Sequence, residues 1–267
     1  MIRKLFFYTT LLTFAIGTAQ NTNDITSEYF EVVRSEFTGD QAYKTTEFVA
    51  QYWRVVGNSG FNKSIYHIAE ALEKAGYVLE SKATAYDKLT YRIEKRPLKN
   101  PTWEPVSASL TIVGDNEPLL ESTTNRNMTY LNSPSTPKDG VVADVVYIKD
   151  KKSLEKIDVK GKAIFAEMSP YALYKVAMKK GAVGMLTYNM PSYLQPEKNI
   201  TSIQFRSIPY DAENLWGMAL SYQAKERLKK ALNKGSVKVK AVINTKIYPS
   251  EELTIVAEIK GNARPDE

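Results

Sequence analysis

With 267 residues, 43% of them hydrophobic and 25% charged, the chain is globular by composition and long enough to bury one or two ordinary cores. The absence of cysteine and the presence of one histidine exclude a disulfide framework, a Cys/His pair, a cysteine-type zinc site and a multi-histidine metal centre. The formal charge of +6 is spread along the chain. In "KDKKSLEKIDVKGK" (Lys149 to Lys162) acidic residues interleave with the lysines and aromatics are missing, so the stretch reads as a solvated loop and strand edge, and no nucleic-acid groove is expected.

The N-terminal "MIRKLFFYTTLLTFAIGTAQN" places Arg3 and Lys4 before an apolar run from Leu5 to Ile16, with small residues at Gly17 and Ala19. That is the layout of a secretory signal cleaved after Ala19, and the run is shorter than the ~20 residues of a bilayer span. A short membrane anchor is the competing reading; with cleavage, no stable anchor remains. Loss of Arg3 and Lys4 lowers the formal charge by two.

Residues 24–54 carry apolar stripes (Tyr29, Val32, Val33, Phe37, then Phe48, Val49, Tyr52, Trp53) interrupted at Gly39 and Asp40, which predicts helices. "VVGNSGFNKS" reads as a loop. It lacks the interior lysine and glycine spacing of a phosphate-binding loop. A helix then runs from Asn62 or Ser64, either able to cap it, to Ala75, with Gly76 as its stop. On this helix His67 lies away from the apolar stripe, beside Glu70, so it is expected to be wet rather than catalytic.

From Tyr77 to about Ile148 the period becomes two. "LTYRIEK", "SASLTIVG" and "VVADVVYI" read as strands, separated by the turns "PLKNPTWEP" and "NSPSTPKDG". "GKAIFAEM" adds a buried strand. "SPYALYKVAMKKG" follows as a helix with Ser169 as cap, Pro170 in its first turn and Gly181 as stop, and "AVGMLTYN" as a further strand. This strand-helix-strand unit predicts parallel neighbours in one sheet, with Gly184 a close-packing point. "SIQFRSIP" reads as a short strand and "SYQAKERLKKALNKG" as a surface helix capped by Ser221. "VKVKAVINTKIY" reads as a strand with one wet face, and Leu253–Ile259 as a last strand after "PSEE". Glu251 and Glu252 are adjacent on a strand and point to opposite faces, so they do not form an acid-base pair.

Two blocks carry a resemblance. "EFVAQYWRVVGNSGFNKSIYHIAEALEKAGY" resembles the opening region of the secreted two-zinc aminopeptidases of the leucyl aminopeptidase-like metallopeptidase family. "DVKGKAIFAE" with "SPYALYKVAMKKGAVGMLTYN" resembles the protease-associated domain inserted in many of them. "LTYRIEKRPLKNPTWEP" and "YNMPSYLQPEKNITSIQFRSIP" are similar to a bacterial branch.

The resemblance implies a mixed α/β fold: N-terminal helices, a β-rich protease-associated domain, and the first strand of an α/β peptidase domain that is otherwise absent. The domains implied are a signal peptide (1–19), a helical lead-in (20–80), a β-rich segment with the protease-associated domain (81–248) and the first strand and turn of the catalytic domain (249–267). No catalytic residue or metal ligand carries over, and no cofactor is expected in this chain; two zinc ions belong to the full-length family. The implied partners are a peptide substrate or the missing catalytic domain. Asn125, Arg126, Tyr188, Asn189, Phe205 and Arg206 are the candidates for substrate contact at the entrance. A free-standing exported module that binds peptide or protein is the alternative, and a hydrolase using His67 a third reading. Apolar faces before Tyr77 and along Leu253–Ile259 are expected to lack complete partners.

Overall fold

The computed structural model describes residues 25–210 and 215–261. The expected leader, its cleavage point and the closing turn from Asn262 to Glu267 lie outside the described residues. The chain divides into two compact units, 1–50 and 51–267. In the first, helix α1 (Ile25–Glu36) is followed by α2 (Asp40–Ala50), with the break at Gly39 and Asp40 where the sequence placed it. The apolar residues Tyr29, Val32, Val33 and Phe37 are exposed.

In the second unit, α3 (Ser59–Lys74) leads through β1 (Val78–Leu79) to β2 (Leu89–Pro97). Strand β2 pairs in parallel with β1 and antiparallel with the last strand, β10 (Glu251–Ile259), through nine residue pairs from Leu89↔Ile259 to Pro97↔Glu251. The other strands are β3 (Thr102–Ile112), β4 (Leu120–Glu121), β5 (Val141–Ile148), β6 (Ala163–Ala166), β7 (Gly184–Thr187), β8 (Trp216–Ala219) and β9 (Lys238–Tyr248). They form one mixed sheet in the order β4-β3-β9-β5-β6-β7-β8. Strands β5 to β8 run parallel, and β9 is antiparallel to both β3 and β5. The fold is therefore mixed α/β, as expected, and β6-α5-β7, with α5 at Pro170–Lys179, joins parallel neighbours.

Burial explains the sequence patterns. Every residue of β6 is buried, Ala163 and Phe165 in one core and Ile164 and Ala166 in another, so the strand reads as a continuous apolar run. Helix α6 (Tyr222–Leu232) contributes Ala224 and Leu228 to the first core. Helix α5 and the short α4 (Lys151–Lys156) contribute Leu173, Ala177 and Leu154 to the second. Strand β9 buries only alternate residues (Val239, Ala241, Ile243), which gives it the expected wet face.

The structure corrects several boundaries. Helix α3 starts at Ser59, capped by Asn58, and Asn62 and Ser64 lie inside it. Strand β3 already includes Thr102–Pro105, read as turn; the proline is tolerated because the register with β9 shifts between Pro105 and Ser107. The "solvated loop" after Lys149 contains α4, because Asp150 Oδ1 accepts the Ser153 N–H at 2.7 Å and Leu154 is fully buried. Around Gln204 there is a bridge between Leu131 and Ser207 in place of a strand. Strand β8 was missed altogether. Ser169 stands at the N-cap position of α5 without making a side-chain cap bond.

His67 is half-buried rather than wet. Strand β10 begins at Glu251, so Pro249 and Ser250 alone carry the chain from the seven-stranded sheet to the three-stranded one. Of its expected open apolar face, Leu253 is buried and Ile259 is exposed.

Two glycines fix the β7–β8 edge. A Cβ on Gly184 would fall within the Trp216 ring, confirming the close-packing reading, and one on Gly217 would fall within the Tyr130 ring. Both rings are almost wholly buried and have nowhere to retreat. Gly217→Ala is expected to cost about 1–3 kcal/mol of stability, measured by urea unfolding. Exposure of the α1 stripe sets a second expectation, that amides of 25–50 exchange hydrogen faster than those of β6, β7 and β8. Uniform protection across both regions would contradict it.

Candidate functional site

One concavity of the second unit is built on the loop that precedes α3. The Asn58 side chain, 1% exposed, accepts the Phe61 N–H at 2.8 Å and donates from Nδ2 to the Trp103 carbonyl at 3.4 Å. The Thr102 hydroxyl donates to the Val56 carbonyl at 2.7 Å, and the Ser250 hydroxyl to the Gly57 carbonyl at 2.6 Å. Gly57 has φ +80°, and a Cβ there would crowd Leu98 Cδ1 at 2.8 Å and Ser250 Oγ at 2.9 Å. A Cβ on Gly60 would collide with the Trp53 carbonyl. The "VVGNSG" segment is thus a structural clasp between the two sheets.

The clasp positions Trp53. Its ring meets the fully buried Trp103 edge-on, with centroids 5.5 Å apart, and tilts against Phe205 at 5.3 Å. Its Nε1–H donates to the Arg126 carbonyl at 3.2 Å. Trp53 and Arg126 line two neighbouring cavities. One, of about 260 Å³, also has Tyr52, Ser59 and Glu104 in its walls. The other, of about 480 Å³, has Arg54, Val56 and Phe205.

Glu104 Oε1 accepts the Ser59 hydroxyl at 2.5 Å, and Oε2 accepts the Tyr248 hydroxyl at 2.7 Å and the Ser59 N–H at 3.4 Å. Burial pushes this carboxyl up. The Ser59 and Tyr248 bonds and nearby Lys246 outweigh that, and it lies below the ordinary glutamate value. The same geometry acts oppositely on Tyr248, whose phenol is pushed up to about 12 by burial and by its bond to Glu104.

The six candidate contact residues divide among several places. Arg126 and Phe205 meet at the Trp53 wall. Arg206 Nη2 donates to the Asn189 carbonyl, drawing the loop after β7 onto the 203–208 segment. Asn125 is a turn residue, its Nδ2 donating to Thr124 Oγ1 at 2.8 Å and its carbonyl accepting the Met128 N–H at 3.0 Å.

Tyr188 belongs to a separate cluster at the carboxyl ends of the parallel strands. There the buried Lys225 Nζ lies 4.8 Å from the Tyr188 ring centroid and 4.2 Å from that of Tyr222. Glu167, just past β6, accepts Lys229 Nζ at 2.7 Å and the Tyr147 hydroxyl at 3.2 Å, and lies 3.8 Å from Lys225. Lysines and carboxylates balance one another in this cluster, which ties α6 to the sheet.

Glu104 was not singled out from the sequence, and Trp53, expected with Tyr52 on a helical apolar stripe, lies past the end of α2 at Ala50, in the segment that leads to the clasp. The available signal was the "YW" pair directly before a Gly-Asn-Ser loop. Among the described residues no group of three or more His, Cys, Asp or Glu side chains could hold a metal, so the donor set present does not fit zinc.

The sign of the pH dependence follows from the Glu104–Tyr248 bond. Tyr248 has a raised folded pKa, so its contribution to stability is complete below the ordinary tyrosine value near ~10 and is lost as pH rises toward about 12. Glu104 has a lowered pKa, so its contribution is present above the ordinary carboxyl range and lost on acidification. Tyr248→Phe is expected to reduce the alkaline component, which Tyr91, Tyr130, Tyr147 and Tyr188, all raised as well, otherwise share, read as melting temperature between pH 9 and roughly pH 12. An unchanged alkaline slope would contradict the assignment.

No family model matches the chain, and no curated protein matches it. Among solved structures, it is similar to a peptidase M28 precursor from Shewanella amazonensis SB2B, at 16% identity over 90% of this chain and 55% of that one, with TM-score 0.58. It is similar to BSAP, a zinc aminopeptidase from Bacillus subtilis, at 16% identity over 83% and 47%, with TM-score 0.54. It is also similar to an aminopeptidase from Aneurinibacillus sp. strain AM-1, at 19% identity over 84% and 48%, with TM-score 0.50. The chain spans about half the length of these neighbours. What it shares with them, at this identity, is the mixed α/β fold of part of an aminopeptidase chain.

Proposed function

We propose that this chain is the non-catalytic N-terminal portion of a secreted zinc-dependent aminopeptidase, and that its β-rich protease-associated domain shapes substrate access or binds peptide. The observation that carries this reading is the fold likeness over 90% of the chain to 55% of a peptidase M28 precursor. The order of the sequence blocks from Glu47 onward supports it. In this reading the leader directs export, the α3 region and β10 belong to the peptidase fold, and Arg126 and Phe205 are the entrance residues closest to a formed concavity. No helix among the described residues is long and apolar enough to cross a membrane.

A free-standing exported binding module is the second reading, favoured by the two cavities that share the Trp53 wall. Reading the coding sequence past the Glu267 codon, with the intact mass of the natural product, separates the two. A frame continuing into a strand with histidine and carboxylate ligands is the expected result. A stop codon with a mass ending at Glu267 would overturn it in favour of the module. On either reading, the chain alone is expected to show no zinc-dependent turnover of leucine p-nitroanilide.

A further inference from the structure

We propose that the second unit is built as two lobes on a hinge, and that the segment ahead of α3 latches them together around the two cavities beside Trp53. The inference concerns contacts within this chain and does not depend on the aminopeptidase reading.

The first lobe is α3 with the three-stranded sheet, and the second is the seven-stranded sheet with its helices. The chain passes between them twice, at 98–101 from β2 to β3 and at Pro249 and Ser250 from β9 to β10. The two crossings lie side by side. Ladder pairs Pro97↔Glu251 and Thr102↔Tyr248 flank them, and the Leu98 N–H donates to the Ser250 carbonyl at 3.0 Å. Pro97, Pro101 and Pro249 have no N–H to give, so the ladder between the flanking pairs is short of donors. Lys99, Asn100 and Pro249 are exposed, and neither crossing holds a core residue. A few residues at element ends, free of a core, are what a hinge requires to absorb a change in φ and ψ.

The lobes share no apolar core. Both buried clusters are made of residues of the second lobe, and none comes from α3, β1, β2 or β10. Ion pairs follow the same division: Arg92 with Glu258 and Arg96 with Glu252 in the first lobe, Arg227 with Asp115 and Lys229 with Glu167 in the second. Relative motion is the expected behaviour of two bodies unless a large hydrophobic interface fuses them.

Contacts across the junction converge on residues 53–59. The Thr102 hydroxyl bonds to Val56, Asn58 to the Trp103 carbonyl and Ser59 to Glu104, while Trp53 donates to the Arg126 carbonyl and sets its ring against Trp103 and Phe205. This segment travels with the first lobe, because Gly60 lies against the Trp53 carbonyl and the Ser250 hydroxyl holds Gly57. The cavity of about 260 Å³ has Trp53 and Ser59 on one side and Glu104 and Ser107 on the other. The cavity of about 480 Å³ has Trp53 and Val56 facing Leu131 and Phe205. Turning one lobe about the crossings therefore changes the width of both cavities at once, and Trp53, a wall of each, holds them closed.

The test is a pair of distance measurements on the full chain, which has no native cysteine to interfere with nitroxide labelling. Labels on Glu70→Cys and Lys230→Cys span the junction, and labels on Lys175→Cys and Lys230→Cys stay within the second lobe; all three positions are exposed. By double electron–electron resonance, the distribution across the junction is expected to be dominated by one distance in the latched chain. Trp53→Ala is expected to add a second distance across the junction and to leave the distribution within the lobe unchanged, which separates swinging from unfolding. Phe205→Ala, at a half-exposed ring, is expected to act in the same way more weakly, and it decides the matter if Trp53→Ala does not fold. An unchanged distribution across the junction in folded Trp53→Ala, or in Phe205→Ala where the first variant does not fold, would overturn the proposal.

Discussion

A single buried amide holds the second unit in register. Asn58 accepts from the first turn of α3 and donates to the Trp103 carbonyl, so one side chain sets where the helix begins and which strand it begins against. Either bond, lost alone, would leave a buried polar group unpaired, at a cost of about 1–3 kcal/mol. The arrangement around it depends on that anchor. Gly57 turns at positive φ between Leu98 and Ser250, Gly60 lets the helix approach the Trp53 backbone, and Glu104 meets Ser59.

The seven-stranded sheet solves a different problem. Its parallel strands are covered on both faces, by α6 on one and by α4 and α5 on the other, so they must be apolar throughout. Where two aromatic side chains need more room than the strand spacing allows, glycine supplies it: Gly184 under Trp216 and Gly217 under Tyr130. The antiparallel part, β3 and β9, has a wet face and tolerates a proline at its bulge.

Charge is distributed accordingly. Around Glu167 and Lys225 the ionic groups satisfy one another and tie a helix to the sheet. Around Glu104 the donors are neutral, and the charge is left facing a cavity. The first arrangement ties a helix to the sheet through charge, whereas the second joins the start of α3 to β3 and β9 through neutral donors.

Much of the architecture was legible locally. Period-two and continuous apolar runs marked β2, β5, β6, β7, β9 and β10, and Ser221, Gly76 and Gly181 marked helix ends, because strand alternation and capping are decided within a few residues. Composition alone also removed cysteine chemistry and histidine-rich metal sites. The start of α3 at Asn58, the four-residue β8 and the pairing of β10 with β2 rather than its neighbour β9 were not legible. Nor was the meeting of Trp53 with Phe205, or of Glu104 with Tyr248, across more than a hundred residues. These depend on partners distant in sequence, and a residue's local pattern cannot specify which distant carbonyl, ring or hydroxyl the folded chain will bring against it.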